Sequence, residues 1–339
     1  MDVAVIAGII MIISVVVMLV MGVPIGISIG MSSALAMITI LPFGPGIVTC
    51  AQKMFTGVNS FSLLAIPFFI LAGNIMNNGG IAIRLVNCAR LISGRLPGSL
   101  AQTNIVANML FGAISGSGTA AAAAIGGTMA PIELEEGYDK DYVAAVNIAS
   151  APTGQLIPPS NTLIVYATVA GSVSVAALFM AGYIPGIAWG ISLMFIAGYM
   201  AKKRGYVSTF SVTPKEALKV LWDALPSLLL IIIVIGGILK GVFTATEGSA
   251  IAVVYALILS LCYRSLKIKD LPSIILSSCK TTCIVIFMIG VSSIMSWVMA
   301  YTMIPTAIAN AMLSLSSNKY VILLLMNVIL LVVGTFMDP

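Results

Sequence analysis

Two short stretches of the sequence contain residues suited to holding a small cation. Ser115-Gly-Ser-Gly118 offers hydroxyl and carbonyl oxygens, and Ala151–Ser160 contains three prolines and a glycine, which interrupt helical hydrogen bonding and leave carbonyls without partners. Na⁺ is a hard cation that prefers oxygen ligands, and unwound backbone provides them without burying a charge. We therefore expect an ion site whose oxygen ligands come from five positions: Ser115, Ser117, Gly154, Ile157 and Pro159.

Each stretch also has a simpler explanation that the residues leave open. Ser115–Gly118 could be a small-residue motif at which two helices pack closely, and Pro158-Pro159 could be a simple kink. Their order, a helical hairpin followed by a broken helix, favours the ion site. Irregular backbone at membrane depth is tolerated only where it lines a cavity or is buried in protein.

The composition indicates a polytopic α-helical membrane protein. Of the 339 residues, 60% are hydrophobic and only 8% are charged, whereas an average soluble domain carries roughly a quarter charged residues. Long apolar runs occur at Val3–Val20, Ile25–Leu41, Leu228–Leu239 and Tyr320–Val333. The net charge of +5 lies in short basic clusters, as expected of loops near span ends, so a lipid bilayer and not a nucleic acid is the predicted partner.

Several kinds of chemistry are disfavoured by what the sequence lacks. It contains no glycine-rich phosphate loop ending in Lys-Ser/Thr, so nothing suggests ATP hydrolysis. It has no histidine and no paired carboxylates in an apolar setting, which argues against an intramembrane hydrolase. Its five cysteines show no metal-type spacing and are interpreted as buried small hydrophobes. We therefore expect a protein that is not an enzyme.

The elements that would position the oxygens begin with three predicted spans. Residues 1–60 contain two spans joined by a turn at Gly22–Gly26, followed by a loop that includes Lys53. Residues 61–78 form the third span, and a basic stretch follows it. The two early spans are expected to belong to a scaffold.

The next segments predict a hairpin and a broken helix. Ser99–Ile114 and Thr119–Glu133 are each too short to cross about 30 Å at 1.5 Å per residue, so they suggest a re-entrant hairpin with Ser115–Gly118 at its tip. A polar linker, Glu133–Asp141, carries five acids and one lysine. Tyr142–Val169 then reads as a helix broken in mid-membrane by the prolines.

The second half begins with further spans. Leu178–Ala201 reads as a span, and Thr213–Asp223 as an amphipathic helix lying at the interface. Leu225–Leu239 and Ala250–Leu261 are two more apolar stretches. Glu247 opens the latter, where we expect it to stabilise the start of a helix.

The two halves resemble each other weakly, which favours an internal repeat. Phe68–Asn77 is similar to Phe287–Ser296, and Asn104–Gly112 is weakly similar to Asn327–Gly334. In this register the last residues, from Gly334 to Pro339, fall at the tip of a second hairpin. Paired repeats with interrupted helices point to a secondary-transporter site. The predicted regions are 1–60 (first scaffold spans), 61–200 (first repeat transport region, with the hairpin near 99–133 and the broken helix near 142–169), 201–280 (interfacial helix and second scaffold spans) and 281–339 (start of the second repeat transport region).

The order of the motifs resembles the large membrane subunit of tripartite ATP-independent periplasmic (TRAP) transporters. The resemblance runs from Gly22 to the last residue, and the combination is far more specific than any single motif. The markers are Gly22-Val-Pro-Ile-Gly26, Ser60-Phe-Ser-Leu-Leu-Ala-Ile-Pro-Phe-Phe-Ile-Leu-Ala-Gly73, Ile114-Ser-Gly-Ser117, Leu156-Ile-Pro-Pro-Ser160, Gly241-Val-Phe-Thr-Ala-Thr-Glu247 and Gly334-Thr-Phe-Met-Asp338.

The resemblance implies a Na⁺-driven, elevator-type transporter with inverted repeats in the bacterial cytoplasmic (inner) membrane, with Na⁺ as coupling ion and no cofactor. It also implies a small membrane subunit and a periplasmic binding protein that delivers small organic acids such as sialic acid or C4-dicarboxylates. By the family pattern, the five ligands above form one Na⁺ site, and a second would involve Gly334, Thr335 and Met337. The solute would lie beside four polar residues of the tip and the break: Ser117, Thr119, Ser160 and Asn161.

One position departs from the family pattern, and two other functions stay open. Many members have an aspartate where this chain has Ala121, so the solute is left unnamed. The alternatives are a stand-alone dicarboxylate or anion carrier that needs no binding protein, and an assembly subunit that does not transport. The sequence ends at Pro339, at the predicted second tip, so we expect residues 1–339 alone to insert but not to transport.

Overall fold

The computed structural model describes residues 3–171, 173–206, 212–316 and 318–334. Every regular element in these ranges is helical, which confirms the predicted all-α class. The α-helices in chain order are α1 (Val3–Val20), α2 (Ile25–Ile40), α3 (Phe43–Val58), α4 (Ala65–Asn78), α5 (Ile81–Ser93), α6 (Ser99–Ser115), α7 (Gly118–Glu135), α8 (Lys140–Ser150), α9 (Thr153–Leu156), α10 (Asn161–Ala170), α11 (Val175–Arg204), α12 (Pro214–Leu239), α13 (Ala245–Cys262), α14 (Leu271–Tyr301), α15 (Ile304–Leu315) and α16 (Lys319–Gly334). Short 3-10 turns precede α4 and α14, at Phe61–Leu64 and Ile268–Asp270.

Six helices in the described part of the chain are long and apolar enough to cross a membrane. They are Val3–Val20, Phe61–Asn78, Val175–Arg204, Pro214–Leu239, Ala245–Cys262 and Ile268–Tyr301. Many of their large apolar side chains are exposed, such as Ile184 and Phe195, and would face lipid. The protein is therefore a multi-pass membrane protein.

Two predicted local structures were wrong. The expected loop around Lys53 is part of helix α3, and Gly46 of this helix lies against the backbone of Ile38 in α2. The expected interfacial helix Thr213–Asp223 is not a separate element, because it continues into the following apolar stretch as the single helix α12. Pro226 lies inside α12, and its carbonyl accepts a hydrogen bond of 2.9 Å from the Tyr255 hydroxyl.

The chain divides into two compact units, of which the first comprises residues 1–60 and 283–339. In this unit α1 packs against α2, and the end of α14 contributes to the same core. The core residues are Ala7, Met11, Ala36, Met37, Ile294 and Val298. Helices α14, α15 and α16 follow each other as α4, α5 and α6 do, but the inverted repeat itself stays a prediction.

The second unit, residues 61–282, contains the predicted hairpin and broken helix. Helix α4 packs against α13, and α6 lies between α5, α7, α8, α9 and α11. Phe69, Phe111 and Phe179 are its largest fully buried side chains. Because α6 is surrounded, almost all of its residues are buried, and it is the central helix of this unit.

Helix α13 begins with a capping box, as expected for Glu247. The Thr244 hydroxyl accepts from the Glu247 amide at 3.2 Å, and the Glu247 carboxylate accepts from the Thr244 amide at 2.7 Å. This arrangement pairs two amide groups at the helix start that would otherwise lack acceptors.

Candidate functional site

The hairpin tip is formed by the last residue of α6 and by the two residues, Gly116 and Ser117, that lie between α6 and α7. Helix α6 ends at Ser115, and Gly116 has φ of 64°, a left-handed conformation that glycine adopts without strain. Ser117 is extended, and its hydroxyl caps α7 by accepting from the Ala120 amide at 3.3 Å. The chain thus reverses within Ser115–Ser117 and brings the Ser115 hydroxyl close to the Ser117 carbonyl oxygen.

The break between α8 and α10 exposes a carbonyl because of its prolines. Proline has no amide hydrogen, so Pro158 and Pro159 cannot donate to the carbonyls of Gly154 and Gln155, four residues earlier. The Ser160 hydroxyl donates to the Gln155 carbonyl at 2.5 Å instead. The Gly154 carbonyl has no such replacement among the hydrogen bonds of the described residues, so it can accept from a ligand.

The tip and the break are in direct backbone contact. The Asn161 amide donates to the Gly116 carbonyl at 3.1 Å. A Cβ atom on Gly116 would lie 2.8 Å from the Pro159 carbonyl oxygen, and one on Gly112 would lie 2.1 Å from the Gly154 Cα. Real Cβ atoms essentially never approach so closely, so only glycine permits this packing. The closeness brings two irregular backbone segments into one site.

Three of the five predicted ion ligands share a small space. The Ser115 side chain is buried, and its hydroxyl lies 3.4 Å from the Ser117 carbonyl oxygen. That carbonyl also accepts from the Ala121 amide at 3.0 Å. It also lies 3.4 Å from the position of a Cβ on Gly154. The structure therefore brings Ser115, Ser117 and Gly154 together.

The remaining predicted ligands are placed differently. Pro159 lies beside Gly116, as described above, and the Ile157 backbone packs on α11, where a Cβ on Gly186 would lie 3.2 Å from the Ile157 nitrogen. Gly334 is the last residue of α16, in the other unit. Thr335 and Met337 lie outside the described residues.

The predicted solute residues lie around the same tip. The Ser117 and Thr119 hydroxyls are 3.0 Å apart, and Thr119 is exposed. Ser160 is buried and caps α10 by accepting from the Leu163 amide at 3.3 Å. The Asn161 side-chain oxygen is buried and has no partner within the described part of the chain. Hydroxyl and amide groups of this kind can donate to a carboxylate.

The sequence reasoning missed the residues that support the break. Asn108 donates to the Asn104 side-chain oxygen at 2.7 Å and to the Ser150 hydroxyl at 2.9 Å, which joins α6 to the end of α8. Asn147 donates to the Ala122 carbonyl at 3.0 Å and so joins α8 to α7. The spacing of Asn104 and Asn108, four residues apart on one helix face, was the available signal.

The site contains uncharged oxygens. In the described ranges, no group of three or more His, Cys, Asp or Glu side chains could hold a metal ion. Carbonyl and hydroxyl ligands suit a hard cation of low charge, because they stabilise it without a buried carboxylate.

The sequence matches a known protein family over most of its length. Residues 12–339 match the family model described as "Tripartite ATP-independent periplasmic transporter, DctM component". The chain is 53% identical over 307 residues to an uncharacterized protein, YgiK, of Salmonella typhimurium, covering 91% of this chain and 71% of that one. It is 38% identical over 306 residues to the sialic acid TRAP transporter large permease protein SiaM of Vibrio cholerae, covering 90% and 71%.

A third relative is named for a different solute. The C4-dicarboxylate TRAP transporter large permease protein DctM of Pseudomonas aeruginosa is 37% identical over 304 residues, covering 89% of this chain and 71% of that one. These relatives are named as permease proteins, which makes the chain a transporter subunit and not an enzyme. The chain belongs to the DctM-component family of tripartite ATP-independent periplasmic transporters.

Proposed function

We propose that this permease subunit couples the import of a small organic acid to the Na⁺ gradient. The observation that carries the proposal is the contact between the hairpin tip and the broken helix, made by Gly112 and Gly154. It brings together oxygens that have lost their helical partners, in the unit that contains both irregular segments. Broken helices that meet in this way are typical of coupling-ion sites in secondary transporters.

The ligand set favours Na⁺ over a divalent metal. The Ser115 hydroxyl and the carbonyls of Ser117 and Gly154 are neutral, and we propose that Ile157 and Pro159 add further carbonyls. Without a carboxylate, the site would stabilise one positive charge with dipoles alone. Gly334, Thr335 and Met337 are proposed to take part in a second Na⁺ site.

The solute is proposed to be an organic anion held beside the tip. Ser117, Thr119 and Asn161 offer donors for a carboxylate, and a neighbouring Na⁺ would add favourable charge. Ser160 is proposed to lie beside the solute at the break, with its hydroxyl hydrogen engaged by the Gln155 carbonyl. Relatives are named for sialic acid, C4-dicarboxylate and isethionate, which are all organic acids. Ala121 packs against Gly154, so the acidic side chain of many family members is missing from this wall.

The assembly is proposed to follow that of the family. We infer a small membrane subunit and a periplasmic binding protein that delivers the solute, and a location in the bacterial inner membrane. An elevator movement would carry the tip and the break across the bilayer together, since Asn161 and Gly116 are hydrogen-bonded to each other.

Replacing the tip serines should weaken Na⁺ coupling. The test is uptake in proteoliposomes by the full-length permease assembled with its partners, for Ser115→Ala and Ser117→Ala. Loss of the Ser115 hydroxyl should raise the Na⁺ concentration for half-maximal uptake roughly tenfold, which corresponds to about 1.4 kcal/mol. Ser117→Ala keeps the carbonyl ligand but removes the hydroxyl that caps α7 at the tip, so it should raise that concentration by a smaller factor.

A matched variant distinguishes a ligand effect from a general effect of losing a hydroxyl. Ser192 is exposed on α11, and its hydroxyl only donates to the Ala188 carbonyl at 2.7 Å. Ser192→Ala should leave the Na⁺ dependence as in the wild type. The proposal fails if the tip variants show the same Na⁺ dependence as this control.

A further inference from the structure

Glu133 is a buried acid that the proposed transport site does not use. It lies two residues before the end of α7, at the base of the hairpin, and its exposed fraction is 0%. It is outside the six helices long enough to cross a membrane. The sequence suggested the first acid of a polar linker here, whereas the structure places its side chain in the protein interior.

The carboxyl group of Glu133 lacks the partners that an ionised acid needs. One oxygen, Oε2, accepts from the Asn104 side-chain amide at 3.4 Å, and the other, Oε1, is buried without a hydrogen-bond partner in the ranges described. The ion pairs that the structure shows between described residues, Arg84–Asp223 and Arg204–Asp139, do not involve it. An unpaired charge at such a place is strongly disfavoured.

The groups that shift the pKa of Glu133 are its buried surroundings and Asn104, and no cation is among them. Tyr138 of the following loop and Tyr142 of α8 face Glu133 and interact with it unfavourably when ionised. Arg90 of α5 and Glu136 line a small polar pocket of about 110 Å³ beside Tyr138. Arg204 of α11 pairs with Asp139 and lies over the ring of Tyr142. Helix α6 contributes the uncharged Asn104 alone among the described partners of this carboxyl group.

The electrostatics agree with the geometry. Burial raises the pKa of Glu133 to about 7, and the hydrogen bond from Asn104 opposes this only in part. The neutral acid is therefore favoured up to neutral pH.

Glu133 is connected to the broken helix by a chain of amide groups. Asn104 donates to Glu133 and accepts from Asn108 at 2.7 Å, and Asn108 donates to the Ser150 hydroxyl at 2.9 Å. Ser150 is the last residue of α8, directly before the break. The Asn108 side-chain oxygen, like Oε1 of Glu133, is buried without a partner in the described part of the chain.

We propose that Glu133 is a proton-binding site that holds the hairpin base together in its neutral form. The reaction is a simple acid–base equilibrium, in which the carboxylate takes a proton from water when the base of α7 packs against α6. Loss of the proton leaves a charged carboxylate in the interior and weakens the packing of α7 against α6 and α8. The site binds a proton and uses none of the residues proposed to hold Na⁺ or the solute.

The sign of the pH dependence follows from the direction of the pKa. The folded protein binds the proton more tightly than the unfolded chain, whose glutamate has an ordinary pKa near 4.5. Stability is therefore highest at low pH and falls as the pH rises from about 4.5 to about 7.

Infrared spectroscopy and thermal unfolding of the purified full-length protein test the site. Wild type should show the carbonyl stretch of a protonated carboxylic acid that disappears with a midpoint near pH 7. Glu133→Gln should lack this band. Its unfolding midpoint should change little between pH 5.5 and 8.5, whereas that of the wild type falls by about 5 °C.

The matched control is Glu135→Gln, an exposed acid two residues further along the same helix. It should keep both the band and the pH-dependent unfolding. If Glu133→Gln does not fold, Glu133→Asp assigns the band by shifting its frequency or midpoint. The proposal is overturned if wild type shows no acid band at pH 5.5, or if Glu133→Gln retains the full pH dependence. Neither measurement uses Na⁺ or solute, so failure here would leave the transport proposal untouched.

Discussion

At the scale of single residues, the site depends on atoms that are absent. Gly112 and Gly154 have no side chains, so their helices approach until the backbones touch. Pro158 and Pro159 have no amide hydrogens, so earlier carbonyls are left to accept from elsewhere. The Ser160 hydroxyl donates to the Gln155 carbonyl, whereas the Gly154 carbonyl has no donor among the described residues. The proposed binding capacity of the site therefore depends on groups that glycine and proline lack.

A single methyl group at Gly112 should disrupt the site. In Gly112→Ala the new Cβ would lie 2.1 Å from the Gly154 Cα, which forces α6 away from the break. We expect a loss of about 2 kcal/mol in unfolding free energy, as for overpacked cores, and loss of Na⁺-dependent uptake. Thermal unfolding and proteoliposome uptake measure the two effects.

Gly127 provides the control for that substitution. It lies in helix α7 with nothing within 4 Å of an added Cβ. Gly127→Ala should stabilise the protein by about 0.5–1 kcal/mol, since alanine favours helix more than glycine does. Equal effects of the two substitutions would contradict the close packing described here.

At the scale of elements, several helices end or begin at the proposed ion site. Helix α6 ends at the tip, α8 ends at the break, and α10 begins immediately after it. Elsewhere, helix starts are fixed by capping boxes, as at Thr213 and Thr244. Two spanning helices thus begin at capping boxes, whereas the helix ends at the proposed site combine local caps at Ser117 and Ser160 with contacts between segments.

Removing the cap of α13 should destabilise the protein without affecting ion coupling. Thr244→Ala removes a hydroxyl that accepts from the Glu247 amide and should cost about 1 kcal/mol. Ser174, which precedes α11, makes no side-chain cap hydrogen bond, so Ser174→Ala should have little effect. The measurement is the thermal unfolding midpoint of each variant. If both variants unfold at the temperature of the wild type, the cap at Thr244 does not stabilise the protein.

At the scale of the whole molecule, the protein consists of two compact units, and the irregular segments described here belong to one of them. Residues 61–282 contain the tip, the break and the network that ends at Glu133. All five residues proposed for the first Na⁺ site lie in this unit, so movement of the unit as one body would keep the proposed ligands together. This is the property that an elevator mechanism requires.

Transport should require the complete assembly. We expect full-length permease reconstituted with both a small membrane subunit and a cognate binding protein to import an organic acid, and permease alone to import little. The measurement is isotope uptake with each component omitted in turn. Robust uptake by the permease alone would instead support a stand-alone carrier.

Much of this architecture could be predicted from the sequence. The scarcity of charge and the long apolar runs determined the membrane class, because lipid tolerates few charged side chains. Gly116 and the prolines at 152, 158 and 159 located the tip and the break, since these residues prevent a continuous helix. The prediction was wrong at α3, where packing on α2 stabilises a helix rich in glycine, and at α12, where a change in composition does not interrupt the helix.

Only the tertiary structure decided which of these features meet. Asn161 and Gly116 are 45 residues apart and share a hydrogen bond, which no local pattern indicates. Glu133 and Glu135 are alike in sequence, yet one is fully buried and the other is exposed. Helix α7 is made of small and apolar residues on all sides, so its sequence does not show which face packs against α6. Propensity and hydropathy act locally along the chain, whereas burial depends on the neighbours that the fold provides.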